Sequence, residues 1–128
     1  MKKALVALYV ALCLCGAAAA QEARKEEKRK QFVYVLKLVP RLLDEKAWTK
    51  QDGEIVGRHF RRLQRLHKEG RVILAGRTLN EADPSQFGVV IFEADSEEEA
   101  RRLMSEDDAV KEQIMTAQLF PFSVALVR

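Results

Sequence analysis

The chain has 128 residues, of which 48% are hydrophobic, and its 22 Lys and Arg against 19 Asp and Glu give a formal net charge of +3. This length allows one domain with a modest core. The small charge excess argues against the clustered positive face that nucleic-acid binding requires, so we expect no nucleic-acid partner.

The first 20 residues have the order of a secretory signal peptide. Lys2 and Lys3 form a basic start, residues 4–14 form an apolar run, and residues 18–20 are alanines. The apolar run is shorter than the roughly 20 residues that a membrane span needs. We therefore predict a cleaved signal peptide at residues 1–20, a periplasmic or secreted mature protein, and no stable membrane insertion after cleavage.

Two cysteines, Cys13 and Cys15, lie in this predicted signal peptide. A leucine precedes each of them, where a lipid-anchor signal has a small residue, so we favour soluble export over lipidation. Cleavage removes both cysteines and two lysines, which lowers the formal net charge from +3 to +1. The mature chain is therefore expected to contain no disulfide and no reactive thiol.

Residues 21–31 are charged, with one alanine and no other apolar residue. Such a segment cannot contribute to a core, and it is predicted to be a solvated linker. Glutamates are interspersed among its basic residues, which disfavours binding to a lipid surface or to nucleic acid. The folded domain is predicted to span residues 32–128.

Hydrophobic periodicity and capping signals divide this domain into four strands and two helices. We predict strands at 32–39, 71–76, 87–94 and 116–127, a helix from residues 49–52 to Gly70, a second helix beginning at 95–99, and a half-helix at 110–115. The polar residues 105–109 are expected to interrupt the second helix. This β-α-β-β-α-β order predicts an α+β, ferredoxin-like fold, a four-stranded antiparallel sheet with both helices on one face.

The other face of such a sheet needs a cover. Near the C-terminus, apolar residues alternate with others, at Phe120, Phe122, Val124 and Leu126. A second copy of the chain would bury such a surface, and we therefore predict a homodimer.

The first helix is expected to bury one apolar stripe, formed by Val56, Phe60, Leu63 and His67. His59 falls on the shoulder of this stripe at about 100° per residue. Four arginines are predicted to face water: Arg58, Arg61, Arg62 and Arg65. Trp48, just before the helix, could line a ligand pocket, but we favour a packing residue because it carries so much apolar area.

Residues 57–76 are the most informative stretch, because they place a histidine near the seam between this helix and a strand. The second histidine, His67, is interpreted as packing or capping the helix end. Two histidines without cysteine make a weak metal constellation, so we expect no metal, and no cofactor motif is present. His59 could reach Asp107 or Asp108, because both helices pack on the same sheet face. Spacing alone leaves two interpretations open: an acid/base pair, or a packing histidine and a capping aspartate.

Three motifs resemble those of the YCII-related family. Residues 59–76 fit H-x-x-x-L-x-x-L-x-x-x-G-x-[apolar]-x-x-A-G, residues 87–100 read F-G-V-V-I-F-E-A-D-S-E-E-E-A, and D-D-A-V at 107–110 is followed by P-F at 121–122. The opening strand F-V-Y-V-L is similar as well. The resemblance covers residues 32–122, nearly all of the predicted mature chain.

Membership of this family implies a dimeric α+β barrel of ferredoxin-like subunits with a histidine and an aspartate in the active site. These positions correspond to His59 and Asp107. Asp108 stands where the family has proline, which leaves open which aspartate points inward. Arg77 also replaces a proline, and its guanidinium could hold an anionic substrate. Arg77 and Asp108 are therefore the predicted substrate-binding residues.

Relatives in this family include dehydrochlorinase-like and muconolactone-isomerase-like proteins. The resemblance thus implies proton transfer or elimination on a small cyclic or aromatic compound, which we expect to be anionic. In this hypothesis His59 is the general acid/base and Asp107 orients it. The alternative is a non-catalytic ligand-binding or interaction module on the same dimeric fold.

Overall fold

The computed structural model describes residues 28–128, so the predicted signal peptide and most of the charged linker lie outside the described residues. The described part forms β1 (Lys30–Leu38), two 3-10 turns (Pro40–Leu43 and Glu45–Ala47), α1 (Lys50–Lys68), β2 (Val72–Arg77), β3 (Gly88–Ala94), α2 (Glu97–Ser105), α3 (Asp108–Lys111) and β4 (Met115–Phe122). The strands form one antiparallel sheet in the order β2-β3-β1-β4. The predicted α+β, ferredoxin-like fold is confirmed.

Strand β1, one of the two central strands, places a tyrosine in the middle of the core. Phe32, Tyr34 and Leu36 point to the same side because side chains alternate along a strand, and all three are buried. They pack with Leu63 of α1 and Met104 of α2 in one hydrophobic cluster. The Tyr34 side chain therefore lies between the sheet and the helices.

Helix α1 begins with a capping box and ends before a glycine with positive φ. The Thr49 hydroxyl accepts from the Asp52 backbone N–H, and the Asp52 carboxylate accepts from the Thr49 N–H in return. At the other end Gly70 has φ of +74°, a conformation that glycine adopts without strain. The predicted limits of this helix are close to the observed ones.

The predicted buried stripe of α1 is wrong in part. Its buried residues are Asp52, Ile55, Arg62 and Leu63. Phe60 is 59% exposed and His67 is also exposed, whereas Arg62 is buried instead of facing water. Hydropathy misplaced the stripe because two of its buried positions carry charged side chains that find partners inside the protein.

The segment after α2 also differs from its prediction. The short helix α3 begins at Asp108, inside the predicted break, and β4 begins at Met115. Asp107 is the N-cap of α3, and its carboxylate accepts a hydrogen bond from the Ala109 N–H. An aspartate at the N-cap can start a helix even within a run of polar residues. The polar residues 105–109, predicted to interrupt α2, therefore contain the start of a new helix. Strand β4 ends at Phe122, five residues before its predicted end.

The sheet face opposite the helices carries an apolar row. Strand register aligns Leu74, Ile91, Val33 and Phe120 across β2, β3, β1 and β4. Leu74 and Phe120 are about half exposed, and Phe122 on the same face is exposed to a similar extent. We call these residues the open face.

Candidate active site

The structure brings His59 and Asp107 into contact, although they lie 48 residues apart. His59 comes from the middle of α1 and Asp107 from the N-cap of α3. The His59 Nδ1 lies 2.7 Å from the Asp107 Oδ1. The His59 side chain is 12% exposed, whereas the Asp107 side chain is fully buried. The imidazole therefore stands between the carboxylate and solvent.

Asp107 has hydrogen bonds on both carboxylate oxygens. Oδ2 accepts from the Tyr34 hydroxyl at 2.8 Å, and Oδ1 accepts from the Ala109 N–H at 3.0 Å as well as from His59. Burial by itself raises the pKa of Asp107, but these three hydrogen bonds and the nearby imidazole outweigh burial, and the pKa lies below its ordinary value. Asp107 is therefore an ionised acceptor.

This contact determines which His59 nitrogen is free. A carboxylate can only accept, so the neutral ring carries its proton on Nδ1. Nε2 then keeps its lone pair. Because His59 lines a pocket, that nitrogen is the one available to a bound molecule.

The pocket has a volume of about 910 Å³ and lies on the helix side of the sheet. Its wall combines α1, the 3-10 turns, the ends of β1 and β2, the start of β3 and the loop between β2 and β3. Aliphatic and aromatic side chains predominate: Leu36, Leu38, Leu42, Leu43, Trp48, Val56, Phe60, Leu63, Val89, Val90 and Met115. Such a lining suits a small, largely apolar molecule.

Three charged residues join His59 in this lining: Glu45, Arg77 and Glu81. Arg77 Nη1 donates a hydrogen bond to the Glu81 carboxylate, and both side chains are about 60% exposed. The predicted substrate-binding Arg77 thus lines the pocket but already has an anionic partner. These groups do not favour an anionic ligand over a neutral one.

A family model described as the YCII-related domain matches residues 11–123. The chain belongs to the YCII-related family. The match extends further towards the N-terminus than residues 32–122, the part on which the motifs alone were compared, and it begins inside the predicted signal peptide. A comparison with curated proteins gives no match.

The YCII-related motif leaves open which aspartate points inward, and the structure answers this question. Asp107 is buried against His59, whereas Asp108 Oδ1 lies 3.5 Å from Arg58 Nε. Asp108 is not among the residues that line the pocket. The structure therefore gives no support to the predicted contact between Asp108 and a substrate.

Sequence reasoning missed two residues behind this YCII-related pair, Tyr34 and Arg62. Tyr34 carries the one hydroxyl among the buried residues of β1 that face the helices, and that isolated polar atom was a usable signal. Arg62 lies three residues after His59, on a neighbouring part of the helix surface. Its guanidinium Nη2 donates to the Leu103 carbonyl at 2.9 Å. A buried arginine gives no signal in a hydropathy pattern.

Neither a metal cluster nor a membrane-spanning helix is found within residues 28–128 of this YCII-related chain. No three or more His, Cys, Asp or Glu side chains there are grouped so that they could hold a metal ion. No helix there is both long and apolar enough to span a bilayer. The polar side chains that line the pocket are Glu45, His59, Arg77, Thr78, Glu81 and Gln86.

Proposed function

We propose that this YCII-related protein is an exported homodimeric enzyme that moves a proton on a small cyclic or aromatic compound, with His59 as general acid/base. The observation that carries the proposal is the 2.7 Å contact between His59 Nδ1 and Asp107 Oδ1, with the same imidazole lining a pocket of about 910 Å³. In the neutral tautomer that the Asp107 contact selects, Nε2 carries no proton, so it is the nitrogen that would accept one from a bound ring.

The chemical step needs no further group for its balance. Nε2 takes a proton from a ring carbon, and the electron pair of the broken C–H bond forms a new double bond to the neighbouring carbon. In an isomerisation this displaces the π pair of an existing double bond onto another carbon, to which the imidazolium returns the proton. In an elimination it displaces a leaving group, which departs with the electrons of its own bond, and the imidazolium later gives its proton to water.

Asp107 has two tasks in this proposal. It keeps the proton of neutral His59 on Nδ1, and its negative charge stabilises the imidazolium that forms when Nε2 takes the second proton. The apolar lining excludes water from the ring and strengthens this electrostatic effect. The substrate therefore needs an apolar ring and one acidic C–H bond.

The test is turnover of small lactones, phenolic acids and halogenated ring compounds by the wild type and by two variants. His59→Ala and Asp107→Asn should each lower kcat by about 10²–10⁴, the usual contribution of general acid–base catalysis. His67→Ala is the matched control, because His67 lies on the same helix and is exposed. Full activity in both variants on an identified substrate would exclude the pair as the catalytic centre.

A non-catalytic ligand-binding module is the second candidate, and the largely apolar lining favours it equally. A binding module would retain its ligand unchanged during prolonged incubation, and mass spectrometry would detect no product. Asp107→Asn would then leave ligand affinity at the wild-type level. A product that forms with the wild type but not with Asp107→Asn would show that the protein is an enzyme and not a binding module.

A further inference from the structure

Behind His59 and Asp107 lies a second pair of buried polar side chains, Tyr34 and Arg62. Tyr34 is 2% exposed and Arg62 is 9% exposed. Neither residue lines the pocket. Any influence of these two residues on a bound molecule must therefore pass through other groups.

We infer that Tyr34 and Arg62 are positioning residues for the His59–Asp107 pair. Tyr34 holds the rotation of the Asp107 carboxylate, and Arg62 holds the backbone that carries it. This inference deepens the proposed function and rests on it for its catalytic meaning, but the geometry that it concerns exists without substrate.

Tyr34 occupies the one carboxylate oxygen that His59 leaves free. His59 and the Ala109 N–H both use Oδ1, whereas the Tyr34 hydroxyl donates to Oδ2 at 2.8 Å. The terminal torsion of an aspartate is broad, so one occupied oxygen does not define the plane of the carboxylate. Hydrogen bonds on both oxygens do define it, and they aim Oδ1 at the imidazole.

The buried hydroxyl is also a permanent donor. Burial, together with the neighbouring charge of Asp107 and the hydrogen bond to it, raises the pKa of Tyr34 above its ordinary value. The positive charge of Arg62 acts on the pKa of Tyr34 in the opposite direction, but it does not outweigh burial. Tyr34 therefore keeps its proton across the physiological range and always donates to Asp107.

Arg62 ties α1 to the chain segment that delivers Asp107. Its Nη2 donates to the Leu103 carbonyl at 2.9 Å and lies 3.9 Å from the Glu106 Oε2. Leu103 belongs to the last turn of α2, where carbonyls lack partners within the helix. This contact holds the end of α2, four residues before Asp107, against the helix that carries His59.

Arg62 brings a buried positive charge to the same region. Within the described residues its Nη1 is buried and has no hydrogen-bond partner, so the guanidinium is held by the contacts of Nη2 with Leu103 and Glu106. Replacing Arg62 therefore tests the tie between α1 and the end of α2.

The readout is the exchange with water of the His59 Nδ1 proton, followed by NMR in the free protein. Tyr34→Phe keeps the ring, whose centroid lies 5.5 Å from that of Phe92, and removes the hydroxyl. Exchange should rise about tenfold, the factor expected when a hydrogen bond to a charged acceptor is lost. His67 provides an internal control, and Val33→Ala, on the open face of the same strand, should leave the exchange unchanged.

Arg62 offers an independent route if Tyr34→Phe does not fold. Arg62→Gln should raise the exchange about as much as Tyr34→Phe, whereas Arg62→Lys, which keeps the charge, should raise it less. The double variant Tyr34→Phe/Arg62→Gln should fall short of the product of the single effects, because both act through Asp107. Wild-type exchange in either single variant, or fully multiplicative effects, would overturn the inference.

A substrate, once known, separates this inference from the proposed function. Tyr34→Phe should lower kcat and leave KM unchanged, because Tyr34 does not touch the pocket. If exchange rises as expected but no compound is turned over, the positioning role stands and the enzymatic proposal fails. If His59→Ala abolishes turnover while Tyr34→Phe changes neither kcat nor exchange, the positioning role fails alone.

Discussion

Arg77 stands at the mouth of the pocket with its guanidinium bound to Glu81. An ion pair between side chains that are both about 60% exposed contributes little to stability, so a ligand carboxylate can replace Glu81 at small cost. The same pair leaves no net charge for an incoming anion. At the scale of single residues, Glu81 therefore decides how strongly the pocket discriminates between neutral and anionic ligands.

Two fluorescent probes with the same rings test this role. Phenylnaphthylamine is neutral and anilinonaphthalene sulfonate is anionic. Glu81→Gln should tighten binding of the sulfonate by roughly threefold to tenfold, the effect of one charge at an exposed site, and leave the neutral probe unchanged. Arg77→Gln should weaken the sulfonate alone. Fluorescence titration measures both, and an unchanged ratio of affinities in Glu81→Gln would remove Glu81 from this role.

At the scale of elements, the segment between β1 and α1 forms one wall of the pocket. Leu42, Leu43 and Trp48 line the pocket, and the Trp48 indole N–H donates to the Leu42 carbonyl at 2.9 Å. Arg41 attaches the segment to α1, because its two terminal nitrogens donate to both Asp52 oxygens at 2.9 and 2.6 Å. This bidentate contact joins the wall to the helix that carries His59.

Because of the Arg41–Asp52 contact, both the free energy of unfolding and the affinity for ligands should decrease at low pH. The hydrogen bond from Arg41, followed by those from Thr49, lowers the pKa of Asp52. A carboxylate with a lowered folded pKa stabilises the protein above its unfolded pKa of about 4, and this contribution is lost as the pH falls through the folded value. The free energy of unfolding should therefore decrease below about pH 4, as measured by urea unfolding at a series of pH values.

Variants attribute part of that decrease to this contact. Asp52→Asn and Arg41→Gln should both give a shallower dependence on pH below about 4, because each removes the ionised contact. Both should also weaken binding of phenylnaphthylamine at neutral pH, although neither residue lines the pocket. If the free energy of unfolding falls equally steeply with pH in the wild type and in both variants, other titrating groups cause the decrease.

The elements also show how much of the structure can be predicted from the sequence. Strand and helix positions follow from periodicity and caps. Two helices on one sheet face allow His59 to reach Asp107 or Asp108, and the resemblance to the YCII-related family selected Asp107. The buried stripe of α1 did not follow, because Asp52 and Arg62 are buried by virtue of partners at Arg41 and Leu103. The Tyr34 hydroxyl stood out as an isolated polar atom in a buried row, but its role was missed because its partner is a carboxylate 73 residues away. A hydropathy pattern scores each residue by itself, whereas the burial of these polar side chains depends on a partner residue that is distant in the sequence.

At the scale of the whole molecule, the open face is the surface that a second copy would cover. Its apolar row crosses all four strands, and Leu74, Phe120 and Phe122 are exposed by 50%, 41% and 42%. In a two-fold dimer each subunit contributes the same residues to the interface, so a single substitution changes the interface at two places.

Phe120→Glu should therefore convert the predicted dimer to monomers. A glutamate on this face is solvated in the monomer but loses its water in the interface, and two copies of it should weaken association by about a hundredfold or more. Light scattering at micromolar concentration measures the mass. Leu79→Glu is the control, since Leu79 is 84% exposed in a loop away from the face. A monomeric wild type would contradict the dimer directly.

Export also concerns the whole chain and rests on residues 1–20. The predicted mature protein begins at Gln21, after a run of four alanines. Expressed with its own N-terminus in a bacterium, the protein should be recovered from the periplasm or the medium with residues 1–20 removed, as read by intact mass. An uncleaved chain in the cytoplasm would rule out the predicted signal peptide.

Most of the strand residues that line the pocket face the helices, on the side of the sheet opposite the open face. If two copies join through their open faces, packed sheets about 10 Å apart separate the two cavities, and each cavity is built by one chain. Neither ligand would meet the other, and nothing in the wall of one pocket would change when its twin is filled. We expect such a dimer to take up two ligands with a hyperbolic saturation curve and a Hill coefficient of about 1, because no element is shared between the sites.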